Sequence, residues 1–76
     1  MNRLIEIQTR RRLPPPQVCR AVRLAAGLTQ AAVARACGVN RATVCRWEAG
    51  QRTPRGEHLR AFLAVLEELL PGRGAD

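Results

Sequence analysis

From Gln17 onward the apolar residues of this chain recur at three- and four-residue intervals, the spacing of one face of an α-helix. Val18, Val22 and Ala25 or Ala26 define a first helix. It begins at Pro15 or Pro16, where a missing N–H is tolerated, and ends near Ala26, with Gly27 suited to a left-handed cap. Thr29 is a good N-cap for a second helix from Gln30 to about Cys37, with Val33, Ala34 and Cys37 as its buried face. Gly38 ends that helix and Val39 fills the turn. Asn40 caps a third helix, Arg41 to about Ala49, which buries Val44 and Trp47 and stops at Gly50. Residues 51–56 read as a basic loop. A fourth helix runs from about Glu57 to Leu70, with Leu59, Phe62, Leu63, Leu66 and Leu70 at helical spacing. Pro71-Gly72 closes it, and Arg73 to Asp76 read as a frayed tail.

The first residues follow a different pattern. Ile5, Ile7 and Thr9 alternate with Glu6 and Gln8, which fits a short strand or an extended arm. Pro14-Pro15-Pro16 then prevents a continuous helix from the arm into the domain. The expected fold is all-α: a compact four-helix domain over residues 15–71, an N-terminal basic arm or short strand over 1–14, and a tail over 72–76.

Length and charge narrow the function. A chain of 76 residues and 8.4 kDa holds one small domain with a thin core, and no sizeable catalytic cleft is expected in it. Its thirteen basic residues are all Arg and give a net charge of +7. Such an excess points first to nucleic acid and second to an anionic membrane. The net positive charge lies in residues 1–60, while residues 61–76, with Arg73 against Glu67, Glu68 and Asp76, are net acidic. The longest apolar stretch, Leu59 to Leu70, is interrupted by Arg60, Glu67 and Glu68, so no membrane span is expected. No apolar signal segment follows the basic N-terminus. Three cysteines, Cys19, Cys37 and Cys45, are an odd number with no secretory context, which fits free thiols in a reducing cytoplasm.

The informative stretch is QAAVARACGVNRATVCRWEAG, Gln30 to Gly50. Two short helices joined by three residues, with Gly38 in the turn, have the spacing of a helix-turn-helix. Ala34 must be small where the helices cross. Gly38 must take a left-handed backbone for the sharp turn. Val33, Cys37, Val39, Val44 and Trp47 must be apolar to set the angle between the helices. All these positions comply. On the third helix Arg41, Ala42, Cys45, Arg46 and Ala49 lie away from Val44 and Trp47. Two arginines on a slim face fit a major groove about 12 Å wide, where arginine bidentate to guanine is the commonest base contact. Ala42 is placed to meet a thymine methyl. Arg52 and Arg55, in the following loop, are placed to hold phosphates. Arg10-Arg11-Arg12 can reach along or into a groove, attract phosphate non-specifically, or stand as solvated flanking charge, the first two being favoured jointly. The same segment, through Leu4, Ile5 and Ile7, can instead pair with a second chain or pack on the last helix.

The run RLAAGLTQAAVARACGVNRATVCRWEAGQRTP, followed by an apolar helix, resembles the Cro-like phage-repressor (XRE) helix-turn-helix domains over about Gln17 to Leu70. The resemblance implies operator binding by dimers acting as transcriptional repressors or activators, with the second motif helix in the major groove. It implies that Arg23 pairs with Glu48, that Gln30 contacts phosphate, and that Arg41, Ala42 and Arg46 face base edges with Asn40 and Thr43 beside them. The family usually carries a further short helix after these four. A repressor-like, sequence-specific regulator of double-stranded DNA is therefore expected, with occupancy of an operator as its mechanism.

Several other readings compete with this one. Asn40 is an N-cap first, and Trp47 is core rather than a base-stacking platform. Cys19, Cys37, Cys45 and His58 lack any tight Cys-x-x-Cys pair, so no zinc site, and no cofactor of any kind, is expected. Cys45, near Arg41 and Arg46, is a candidate redox-sensitive thiol. Ala61, Val65 and Leu69 leave apolar surface for self-association, giving a two-fold dimer over a pseudo-palindrome, or else cover the arm. The main alternative function is an antitoxin-like or recombination-directionality protein that docks a protein partner. Membrane-surface binding is weaker because the arm's apolar residues are few. An enzyme is the least expected, since there is one His, no pair of carboxylates in a helix-turn-helix cleft and no phosphate loop.

Overall fold

A computed structural model of the chain describes residues 3–70. Five helices follow in order: α1 (Arg3–Arg11), α2 (Pro16–Ala25), α3 (Gln30–Cys37), α4 (Arg41–Glu48) and α5 (Gly56–Leu69). Among the described residues there is no strand. The expected stop at Pro71-Gly72 and the tail over 72–76 lie outside the described residues.

The all-α expectation is met, but with five helices where four were expected. The additional one is α1, in the segment read as an arm or strand. Its alternating isoleucines carry a strand-like period, yet other features favour a helix. Arg10 pairs with Glu6 at 3.0 Å, one turn apart, and Arg10 and Arg11 lie at the negative end of the helix dipole. Thr9, the buried residue of α1, donates its hydroxyl to the Ile5 carbonyl at 2.8 Å. Docking on α5 completes the effect. The Glu6 carboxylate accepts from the Gly56 N–H at 2.9 Å and caps the start of α5, whose N-cap residue Arg55 supplies no side-chain bond. Arg12 reaches Glu67 near the other end of α5 at 2.6 Å.

The remaining boundaries follow from local chemistry. Pro16 opens α2, and Gly27 follows its end with φ 74°. Thr29 accepts from the Ala32 N–H and Asn40 from the Thr43 N–H, each at 3.0 Å, so both expected N-caps are made. Gly38, at φ 73°, ends α3 and lets the Val39 N–H return to the Ala34 carbonyl.

Cys19, Val33, Ala34, Cys37, Val44, Trp47, Phe62 and Leu66 form one core cluster, with Val22, Leu28, Val39, Ala61 and Val65 packed against it, and Leu59 and Leu63 of α5 are buried as well. Trp47 meets Phe62 at a ring-centroid distance of 4.8 Å, which fastens α4 to α5. Three packing expectations are corrected. In α2 the buried face carries Cys19 and Arg23, one turn apart, whereas Val18 is 42% exposed and Ala25 is exposed. The cause is Arg23, which turns inward to meet Glu48 and takes its side of the helix with it. Leu70 is exposed beyond the end of α5 and is not part of its buried face. Ala61 and Val65 pack on the core, so of the apolar residues expected to remain outside on this helix only Leu69 lines an open groove, with Val18, Ala21 and Val22.

Candidate nucleic-acid interface

α3 and α4 are joined by Gly38, Val39 and Asn40, the expected three-residue turn. Val44 and Trp47 hold α4 from behind and are buried. At 100° per residue this leaves Ala42 and Ala49 along the outer ridge, flanked by Cys45 on one side and Arg46 on the other, and all four are exposed. The ridge is slim because its crest is alanine. Arg41 lies on the Cys45 side and Thr43 on the Arg46 side.

Two clefts border this ridge. One is lined by Arg20, Gln30, Arg41 and Cys45, the other by Thr43, Arg46, Arg52 and Arg55. Each therefore presents arginines beside the exposed face of α4. The loop carrying Arg52 is tied to the end of α4, because the N–H groups of Gln51 and Arg52 both donate to the Arg46 carbonyl, at 3.0 and 3.3 Å.

Behind the ridge lies a chain of polar contacts. Arg23 grips Glu48 with two hydrogen bonds, Nε to Oε2 at 2.7 Å and Nη2 to Oε1 at 3.0 Å. Its Nη1 donates to the Leu28 carbonyl at 2.8 Å. Gln30 Nε2 donates to Glu48 Oε1 at 3.0 Å, and Arg41 Nη1 donates to Gln30 Oε1 at 3.2 Å. The amide orientation of Gln30 is forced, since an ionised carboxylate only accepts and a guanidinium only donates. Burial alone pushes the Glu48 carboxyl up. The hydrogen bonds from Arg23 and Gln30, with the charges of Arg23 and Arg20, overcome that and hold it below its ordinary value of 4.5. The Arg23 guanidinium is raised by its bond to Glu48, against the opposing effect of burial.

The expected site residues thus fall into distinct settings. The Arg23–Glu48 pair is formed and buried. Asn40 spends its carbonyl oxygen on the cap of α4, accepting from both the N–H and the hydroxyl of Thr43. Ala42 and Arg46 are exposed on the outer face. Arg41 is exposed but tethered to Gln30, whose own side chain is engaged at both ends within the protein. Arg52 and Arg55 are exposed in the loop. Arg10, Arg11 and Arg12 stand at the end of a docked helix, with Arg10 and Arg12 in ion pairs. Sequence reading passed over Arg20, which shares a cleft with Arg41; its position three residues before Arg23, on an adjoining face of the same helix, was an available signal. Cys45 is an exposed free thiol, while Cys19 and Cys37 are buried free thiols. Among the described residues no group of His, Cys, Asp or Glu is placed to hold a metal ion. None of their helices is long and apolar enough to cross a membrane.

A slim exposed helix between basic clefts, held from behind by a buried ion pair, defines a DNA-binding domain by its chemistry. A helix-turn-helix family model matches residues 20–69, most of the chain, and the chain belongs to this family in its Cro-like phage-repressor (XRE) form. No curated protein and no solved structure matches it. Membership gives the domain a DNA-binding role in transcriptional regulation, with double-stranded DNA as its partner, in a family that is typically non-enzymatic.

Proposed function

We propose that this protein is a sequence-specific, repressor-like regulator that reads the major groove with α4 and works in the cytoplasm as a homodimer on a pseudo-palindromic operator. The observation that carries this reading is the open outer face of α4, where Ala42 and Ala49 leave room for a groove wall and Arg46 stands beside them. Arg46 is the principal base reader, with guanine as its natural partner. Arg41, steadied by Gln30, reads or clamps at the other edge of the same face. Asn40, Ala42 and Thr43 complete the base-facing set, Ala42 against a thymine methyl. Gln30 serves phosphate binding through its backbone N–H at the start of α3, because its side-chain amide is occupied. Arg52 and Arg55 hold phosphates, and Arg10, Arg11 and Arg12 add attraction for the backbone. In the dimer, recognition helices stand about 34 Å apart, one turn of DNA. The domain boundaries at about residues 14 and 71 leave α1 as an accessory to the DNA-binding unit.

Selecting bound sequences from random duplex DNA and footprinting the winners tests this directly. The expected result is a half-site containing at least one G·C pair, repeated with two-fold symmetry. Arg46→Ala should lose about 1–3 kcal/mol and relax preference at one base pair, whereas Arg52→Ala should weaken all sequences alike and lower the salt slope by about 1. Selection that returns no consensus, or an Arg46→Ala protein with unchanged affinity and preference, refutes the reading.

A further inference from the structure

We infer that the phosphate-binding surface does not end at the loop after α4 but continues onto α1, where Arg3, Arg10 and Arg55 form a cleft for a backbone phosphate of the same duplex. This extends the DNA-binding reading above and rests on it. Arg55 is the link. It lines the cleft that contains Arg46 and Arg52, and it also lines a second cleft of about 600 Å³ with Arg3, Glu6, Ile7 and Arg10. A basic path therefore runs from the recognition helix through the loop to the N-terminal helix.

The second cleft is built for an anion. It sets three arginines against one glutamate, leaving two positive charges. The glutamate does not oppose a ligand freely, because both its oxygens are engaged. Glu6 Oε1 accepts from the Gly56 N–H at 2.9 Å, and Oε2 accepts from Arg10 Nη2 at 3.0 Å. Arg10 gives Nη2 to Glu6, but its side chain is 41% exposed, so its guanidinium keeps a face open to a ligand. The positive end of the dipole of α5, a helix of 14 residues, lies beside Arg55 at the same place. What the cleft lacks is an acceptor-rich group of negative charge, and a phosphodiester supplies one. Helical α1 matters to this: a flexible arm would scatter Arg3 and Arg10, whereas the docked helix holds them opposite Arg55 before DNA arrives.

The test uses the full chain and a random-sequence duplex of about 20 base pairs, roughly two helical turns. Binding is followed by fluorescence anisotropy at several salt concentrations for the wild type, R3A, R55A, R3A/R55A, R11A and R46A. Arg11 carries the same charge on the same helix but does not line the cleft. R3A is expected to lose about tenfold in affinity, the scale of a charge-assisted bond to phosphate, and R11A clearly less. In the R55A background R3A should lose much less than it does alone, because one clasp has already been broken. Equal losses in R3A and R11A would mean a general charge effect and overturn the inference. So would an R3A loss that is undiminished by R55A. R46A weakened with R3A unaffected overturns the inference while leaving the DNA-binding reading intact, and a wild type that fails to bind duplex DNA overturns both. Circular dichroism on each variant verifies that α1 and the domain remain folded.

Discussion

Removing the Glu48 carboxylate while leaving Arg23 in place should cost several kcal/mol of stability, roughly 3–5. The Arg23 and Glu48 side chains are only 8% and 3% exposed, so a lone Arg23 cannot exchange its partner for water without opening the core. Breaking one side of such a buried pair costs about 3–5 kcal/mol. A domain of 76 residues has a total stability of roughly 4–11 kcal/mol, so E48A removes a large share of it. At about 4–8 °C per kcal/mol for a domain of this size, its melting temperature should fall by more than about 12 °C. Replacing both partners, as in R23M/E48L, removes the charges together and should return stability to within about 1 kcal/mol of the wild type. Thermal and urea unfolding of the wild type, both single variants and the double variant give the coupling between the two sites. An E48A cost below about 1 kcal/mol would refute the desolvation argument, as would a double variant as unstable as E48A. The apolar double variant also separates stability from function. It keeps α4 packed but deprives Gln30 of its acceptor, so Arg41 loses its tether and DNA affinity should drop while the fold persists. Acid should act on the same pair. The Glu48 carboxyl is held below 4.5 in the folded protein, so its stabilisation is complete above that value and is lost as pH falls through the lowered folded value.

Alkaline pH gives a second, separable effect. Burial first, and then the charge of Glu48, push the Cys19 thiol from 9.0 up to about 11, so the folded protein keeps a proton that the unfolded chain releases. The contribution of this thiol should be constant below about pH 9 and fall by about 3 kcal/mol as pH rises past about 11. The chain has no Lys and no Tyr to obscure that window, but burial also pushes the Cys37 thiol up, so C19A should remove part of the decline in pH-dependent urea unfolding and C19A/C37A most of it. A C19A protein with an undiminished alkaline decline would assign it to another group. Gly38→Ala tests the turn: a Cβ there meets nothing within 4 Å, but φ is +73°, so backbone strain alone should cost about 1–2 kcal/mol in thermal unfolding. A negligible cost would show that the turn relaxes without a left-handed residue.

Much of the reading head was legible in the sequence because its determinants are local. Thr29 and Asn40 cap helices three residues ahead of them, and Gly38 sits where a left-handed residue ends a helix. Val33, Ala34, Cys37, Val44 and Trp47 declare their faces by spacing alone. The pairing of Arg23 with Glu48 was legible only through family resemblance, since nothing in helical periodicity makes an arginine face inward. That inward turn also separates the face that periodicity predicts for α2, Val18, Val22 and Ala25 or Ala26, of which only Val22 packs on the core, from the observed one of Cys19 and Arg23.

The sequence alone therefore determined the helix-turn-helix, its caps, its turn and the apolar faces of α3 and α4, because each depends on residues within one or two helical turns of one another. Tertiary structure decided what depends on partners far along the chain. A segment of nine residues such as α1 is too short to be a stable helix by itself, and its alternating isoleucines permit a strand. It is fixed as a helix by Glu6 on Gly56, 50 residues away, and by Arg12 on Glu67. The same long reach engages the Gln30 amide between Glu48 and Arg41, and sets Arg55 between two clefts. Periodicity tells which side of a helix is apolar, but only the packed chain tells which charges meet across it.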